Sequence, residues 1–176
     1  MIQLHDKTFE SFISKEELDF SVANLAQLIS EDFQDEVPIF IGVLNGSFRF
    51  LADLTKNYNF PCEVNFIKVA SYQGTESTNQ VNQIIGLNQD VTGRTVIIVE
   101  DIVDTGNTIV ELKKMFKSHN VKHLKIATLF LKPDAYKHNI KLDYVGIRIP
   151  NKFIVGYGLD YDGLGRNLNE VYQLAE

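Results

Sequence analysis

Three carboxylates crowd the end of a strongly apolar run: Glu100, Asp101 and, three residues on, Asp104. Val96 to Val99 before them are all β-branched and read as a strand buried on both faces. Thr105, Gly106, Asn107 and Thr108 follow, small and turn-forming, and the spacing predicts a helix from about Ile109 to Ser118. Acids at a strand edge suit a sugar diol or a metal ion. A small-residue loop running into a helix offers backbone N–H groups and a dipole to a phosphate. Three acids beside a buried strand repel one another unless a cation or hydroxyl groups meet them. Neither Gly-x-x-x-x-Gly-Lys-Ser/Thr nor Gly-x-Gly-x-x-Gly occurs, so neither a P-loop nor a dinucleotide fingerprint accounts for the pattern.

The rest of the chain supplies elements that could hold such a cradle. Ser14-Lys15-Glu16-Glu17 has the capping-box pattern, and Leu18, Val22, Leu25, Ile29 and Phe33 then follow helical spacing. Pro38 to Leu44 reads as a buried strand ended by Asn45-Gly46, with a helix from Phe48 to Tyr58 after it. Glu63 to Ala70, Lys125 to Leu131 and Tyr144 to Ile149 are expected as further strands, with Thr92-Gly93-Arg94 a turn. Ser71 to Gln83 is polar, carries Gly74 and reads as a long loop. Strands alternating with helices point to a doubly wound α/β sheet, with its ligand at the carboxyl ends of the strands.

Composition sets bounds. A chain of 176 residues, 44% hydrophobic and 23% charged, fits one globular domain over 1–176. A net charge of −6 disfavours nucleic acid as a partner. The lone Cys62 excludes an intramolecular disulfide and fits a reducing compartment. The first residues lack a basic region followed by an apolar stretch, and no run approaches the ~20 apolar residues of a membrane span. The expectation is a cytoplasmic protein with no membrane partner.

Val96 to Thr108, with its core Glu-Asp-Ile-Val-Asp-Thr-Gly-Asn-Thr, resembles the phosphoribosyl-pyrophosphate motif of type I phosphoribosyltransferases, specifically the hypoxanthine (and guanine) branch. Four other segments resemble that family in the same order. Val43 to Phe48 is similar to its pyrophosphate loop, Ser71-Tyr72 to the start of its mobile lid, and Lys132 to its purine-contacting lysine. Pro150 to Tyr161, followed by Arg166, is similar to its purine-stacking and metal segment. The likeness spans roughly residues 37 to 172.

The resemblance implies a mostly parallel sheet with a small hood built from the terminal segments. It also implies a magnesium-dependent purine salvage transferase and a homodimer or homotetramer. The small-molecule substrates would be a 6-oxopurine and phosphoribosyl pyrophosphate. By the same resemblance Glu100 and Asp101 hold the ribose hydroxyls and Mg²⁺, and Asp104 is the general base or acid. Thr105, Gly106, Asn107 and Thr108 wrap the 5-phosphate together with that acidic stretch. Lys132, Phe153, Ile154 and Asp160 form the purine site, Asp160 also facing the metal. Asn45, Gly46, Ser47 and Arg166 bind pyrophosphate, and Ser71 and Tyr72 close over it. The family often carries a basic residue where this chain has Asn45, so backbone N–H groups would do more here. The family has a non-proline cis peptide in this same loop. Alternatives are a xanthine-preferring transferase, or a regulator of this fold that binds phosphoribosyl pyrophosphate and nucleic acid.

Four features are set aside. His119 and His123 have zinc-compatible spacing, but Asn120 and Val121 fall where a helix should end. His5 and His138 have no partner in sequence. Lys113, Lys114, Lys117 and Lys122 read as a solvated helix face. Asp160-Tyr161-Asp162-Gly163 begins like an EF-hand, yet Val171 stands where its glutamate should.

Overall fold

A computed structural model describes residues 1–69, 83–87 and 89–175. Helix α1 (Lys15–Phe33) starts as the sequence requires, with Ser14 Oγ accepting from the Glu17 N–H and the Glu17 carboxylate accepting from Ser14 N–H. Leu18, Val22, Leu25, Ile29 and Phe33 are buried along one stripe. After the short strands β1 (Ile2–Leu4) and β2 (Lys7–Ile13) and helix α1, the chain runs β3 (Ile39–Val43), α2 (Phe48–Asn57), β4 (Glu63–Val69), β5 (Gln83–Ile85), β6 (Thr95–Val103), α3 (Asn107–Lys117), β7 (His123–Leu131) and β8 (Tyr144–Arg148). These central strands form one sheet in the order β5-β4-β3-β6-β7-β8, parallel except for β5 on β4.

Both faces of β6 are buried, which explains its unbroken apolar run. Ile97 and Val99 face the core beneath α1 and α2, whereas Val96 and Ile98 face a second core closed by Leu112 and Phe116 of α3. The chain leaves β3 outward to β4, returns to β6 beside β3, then moves the other way to β7 and β8. The order therefore reverses between β3 and β6. The loops that leave their carboxyl ends, residues 44–47 and 104–108, flank that switch point, where open α/β sheets place their ligands.

The acids do not lie past the strand as the sequence suggested. β6 runs on to Val103, pairing Glu100 with Thr128, Ile102 with Phe130 and Val103 with Leu131 of β7. The β3 partner stops at Val99, so one edge of this extension opens toward the Asn45 loop. Helix α3 also starts two residues early, at Asn107. Of the expected Ser71–Gln83 loop only Gln83 is described, as the first residue of β5; Ser71 and Tyr72 lie outside the described residues.

A second, antiparallel sheet has the order β1-β2-β10-β9, where β9 is Ile154–Val155 and β10 is Val171–Leu174. It joins segments from both ends of the sequence, as expected of a hood. Arg49 of α2 fastens the loop before β10 to the main body. Its guanidinium donates to Asn167 O (3.0 Å), Leu168 O (2.6 Å) and Asn169 Oδ1 (2.8 Å), and lies 5.1 Å from the Tyr157 ring centroid. Tyr157 in turn donates to Asp53 of α2 at 2.6 Å.

Candidate active site

At the switch point the structure brings several landmarks together from separate parts of the chain: Gly46 beside Asp101, Gly158 beside Gly46, and Arg166 and Asp160 near Asp101. The Leu44–Asn45 peptide is cis, and Gly46 packs so tightly beneath it that a methyl group there would overlap the Asp101 carboxylate. Asn45 is exposed, and neither its N–H nor that of Gly46 has a hydrogen-bond partner among the described residues. Ser47 differs from expectation: it is fully buried, and its N–H already donates to Val43 O. The Asn45 and Gly46 amides are the groups left to meet an anion.

Glu100 is 7% exposed and its Oε2 has no partner, nor does the Ser47 hydroxyl. Of the three buried orphan side-chain atoms among the described residues, two therefore sit here. An unpaired buried polar atom costs about 1–3 kcal/mol, so each of the two is a group that a ligand could satisfy. Burial, reinforced by the neighbouring Asp101 charge, pushes the Glu100 carboxyl well above the usual carboxylate range. Asp101 is raised to about 6, chiefly by burial and slightly by Asp160, against the hydrogen bonds it accepts and the nearby Arg166. These two acids resist ionisation until a cation or hydroxyl donors arrive.

That resistance has a measurable sign. Between about pH 4 and 6 the folded protein holds a proton on Asp101 that the unfolded chain has released, so this group lowers stability as pH rises through that window. An Asp101→Asn variant in magnesium-free buffer is expected to gain stability over the parent at pH 7.5, with the gain shrinking toward pH 4.5. Thermal melts at the two pH values check this, and a gain that did not change with pH would refute it.

Lys132 follows β7 and is nearly buried; its Nζ donates to Asp104 Oδ2 at 2.7 Å, with the side chains 9% and 46% exposed. The structure thus brings together the expected base and the expected purine-contacting lysine, and pairs them with each other. Arg166 and Asp160 form a second pair at 2.6 Å, and Arg166 also donates to Gly158 O at 2.7 Å. Phe153 is 46% exposed beside Tyr161, ring centroids 5.8 Å apart, while Ile154 is buried in β9.

The loop after β6 has the expected cradle form. Gly106 adopts φ +87° at the N-cap of α3, and the first-turn N–H groups of a helix have no intrahelical partners. Thr105, Asn107 and Thr108 surround it. Two supports escaped the sequence analysis: Tyr136 lies against Gly106, and His138 hydrogen-bonds Asn107 at 2.8 Å. Both come from the segment after β7, and no spacing pattern links them to residues 105–108. His119, by contrast, contacts the Met115 carbonyl, and Lys114 and Lys122 pair with Glu111 and Glu36, as surface groups do.

Among the described residues no three His, Cys, Asp or Glu side chains converge into a protein-built metal cage. The acidic residues Glu100, Asp101 and Asp160 fit Mg²⁺, which takes one or two protein carboxylates and draws its other ligands from substrate and water.

A model of the phosphoribosyl transferase domain matches residues 13–162. The hypoxanthine-guanine phosphoribosyltransferase of Streptococcus pyogenes is 44% identical over 153 residues, covering 86% of this chain and 85% of its own. That of Bacillus subtilis is 42% identical over 157 residues, covering 89% and 87%. A crystal structure of a hypoxanthine-guanine phosphoribosyltransferase from Bacillus anthracis superposes with a TM-score of 0.89 at 39% identity, over 97% of this chain and 99% of that one. A hypoxanthine phosphoribosyltransferase from Staphylococcus aureus gives 0.90 at 36% identity, over 97% and 94%. With these matches spanning most of its length, the chain belongs to the phosphoribosyl transferase family, in its hypoxanthine-guanine phosphoribosyltransferase branch.

Proposed function

We propose that this protein is a purine salvage transferase. It moves the 5-phosphoribosyl group of phosphoribosyl pyrophosphate onto hypoxanthine or guanine, giving the nucleoside monophosphate and pyrophosphate. The observation that carries the choice of base is the Lys132–Asp104 pair. It sets a donor beside an acceptor, and the edge of a 6-oxopurine sets an acceptor, O6, beside N7, whose proton is a donor. Adenine offers a 6-amino group to the lysine and has no acceptor there.

In this reading Phe153 stacks on the base and Ile154 contributes backbone groups. Asp104 accepts the imidazole proton as the ring nitrogen attacks the anomeric carbon, help worth typically ~10²–10⁴ in rate. Glu100 and Asp101 take the ribose hydroxyls, and Glu100, Asp101 and Asp160 would hold Mg²⁺. Thr105, Gly106, Asn107 and Thr108 hold the 5-phosphate at the start of α3. The Asn45 and Gly46 N–H groups and Arg166 receive the pyrophosphate, which requires Arg166 to loosen from Asp160. Mg²⁺, when bound, neutralises the leaving pyrophosphate.

We read residues 1–176 as a single domain, since β2 and β10, from distant parts of the sequence, pair in one sheet. A cytoplasmic homodimer or homotetramer belongs to the same reading. No helix among the described residues is long and apolar enough to cross a membrane. Light scattering checks the assembly.

Relative kcat/KM for hypoxanthine, guanine, xanthine and adenine with magnesium tests the function. Turnover of the first two and rejection of adenine is expected; a xanthine preference or no turnover would overturn it. Lys132→Ala removes a charged hydrogen bond of about 1.5–3 kcal/mol. The half-exposed Asp104 tolerates the loss of its partner, so KM for hypoxanthine should rise at least tenfold and KM for phosphoribosyl pyrophosphate far less. Equal changes in both would place Lys132 outside the base site.

A further inference from the structure

We infer that His138 is a positioning residue for the 5-phosphate, acting through Asn107. The inference rests on the assignment of residues 105–108 to that phosphate. After β7 the chain turns back on itself, with the Ala135 and Tyr136 N–H groups donating to Lys132 O at 3.2 and 3.1 Å. It then runs along the cradle, where Lys137 N–H donates to Thr105 O at 3.1 Å. The Tyr136 hydroxyl donates to Ile140 O at 2.7 Å, which fixes its ring over Gly106. A methyl group on Gly106 would lie 2.8 Å from Tyr136 Cδ2 and 3.2 Å from His138 Cδ2, so this bracket fills the space beside the loop. The Tyr136 and His138 rings meet edge to face, with centroids 6.5 Å apart. His138 Nε2 ends 2.8 Å from Asn107 Oδ1.

The chemistry follows from what an amide can do. Asn107 Oδ1 only accepts, so Nε2 of His138 carries the proton and donates. With its oxygen held by His138, Asn107 turns its Nδ2 amino group away from the imidazole. Asn107 is the first residue of α3, where first-turn N–H groups lack intrahelical partners and the helix dipole favours an anion. An exposed asparagine without this bond rotates freely and presents its carbonyl to a phosphate as readily as its donor. His138 thus keeps a donor face toward the 5-phosphate, and does so without touching the substrate.

The test compares inosine 5′-monophosphate with inosine, by calorimetric titration of the full chain. Parent protein binds the monophosphate more tightly. His138→Ala should weaken the monophosphate about 2- to 13-fold, the range of one neutral hydrogen bond, and leave inosine unchanged. The same factor should appear in KM for phosphoribosyl pyrophosphate and not in kcat. His138→Gln, whose amide nitrogen reaches the position of Nε2, should restore most of the affinity. His138→Asn, which falls short, should not. In an Asn107→Ala background His138→Ala should add no further loss. Unchanged monophosphate affinity in His138→Ala, an equal loss for inosine, or equal behaviour of the Gln and Asn variants would overturn the role of His138. Parent protein indifferent to the 5′-phosphate would instead overturn the assignment of the loop itself, and this inference with it.

Discussion

Asp104→Asn is expected to lower kcat by about 10²-fold or more while phosphoribosyl pyrophosphate affinity stays close to that of the parent. The substitution is informative because of the contact Asp104 makes. Asn Oδ1 can still accept from Lys132, so the geometry of the pair at 2.7 Å survives and only the charge and basicity are lost. Asp104→Ala would instead leave a nearly buried ammonium unpaired, and its effects would mix catalysis with stability. Single-turnover rates at saturating substrates, set beside thermal melts, separate the two. A kcat within a few-fold of the parent would remove Asp104 from proton transfer. The Lys132 contact also means that the base is occupied before purine binds: the oxopurine must draw the ammonium onto O6 as it presents N7.

Gly46→Ala should be as damaging, for a steric reason. Gly46 has no left-handed backbone to lose, so alanine is compatible with its chain path. The added methyl would, however, overlap the Asp101 carboxylate, which accepts from Ile102 N–H at 2.9 Å and cannot move without leaving its place beside Glu100. A displacement of the order of 1 Å at a substrate-positioning group can cost about 10²-fold, so kcat/KM for phosphoribosyl pyrophosphate should fall by about that factor. Steady-state kinetics with circular dichroism as a fold control is the measurement. Wild-type kinetics would mean that Asp101 is free to shift and does not position the ribose.

The elements that carry the site were legible because their local signals are strong. Ser14 and Glu17 form the capping box that their spacing announced, and β3, α2, β4, β7 and β8 fall within two residues of the expected ends. The unbroken run Val96 to Val99 demanded burial on two faces, and α3 and the α1–α2 layer provide it. Residues 100–108, from the end of β6 into α3, suggest a chemistry through their residue types: acids for hydroxyls or metal, small residues and a helix start for phosphate. The hood strands were not legible as strands. At two to seven residues, with mixed exposure, they carry no usable period, and only pairing between distant segments makes them a sheet.

Tertiary structure decided how the pieces meet. Glu100 and Asp101 lie inside β6 because β7 continues beside them, a cross-strand fact invisible in a single segment. Lys132 and Asp104 are 28 residues apart, Arg49 and Leu168 are 119 apart, and His138 and Asn107 are 31 apart. Residue types at such separations are uncorrelated along the chain, since loop lengths and sheet order, not spacing, set which side chains converge. Thus the sequence by itself determined which residue types could suit a diol, a metal or a phosphate, and its resemblance to a known family supplied the expectation of an oxopurine. Folding around the β3–β6 switch point decided which of them touch, which are buried without a partner, and that a histidine with no neighbour in sequence stands against the first residue of α3.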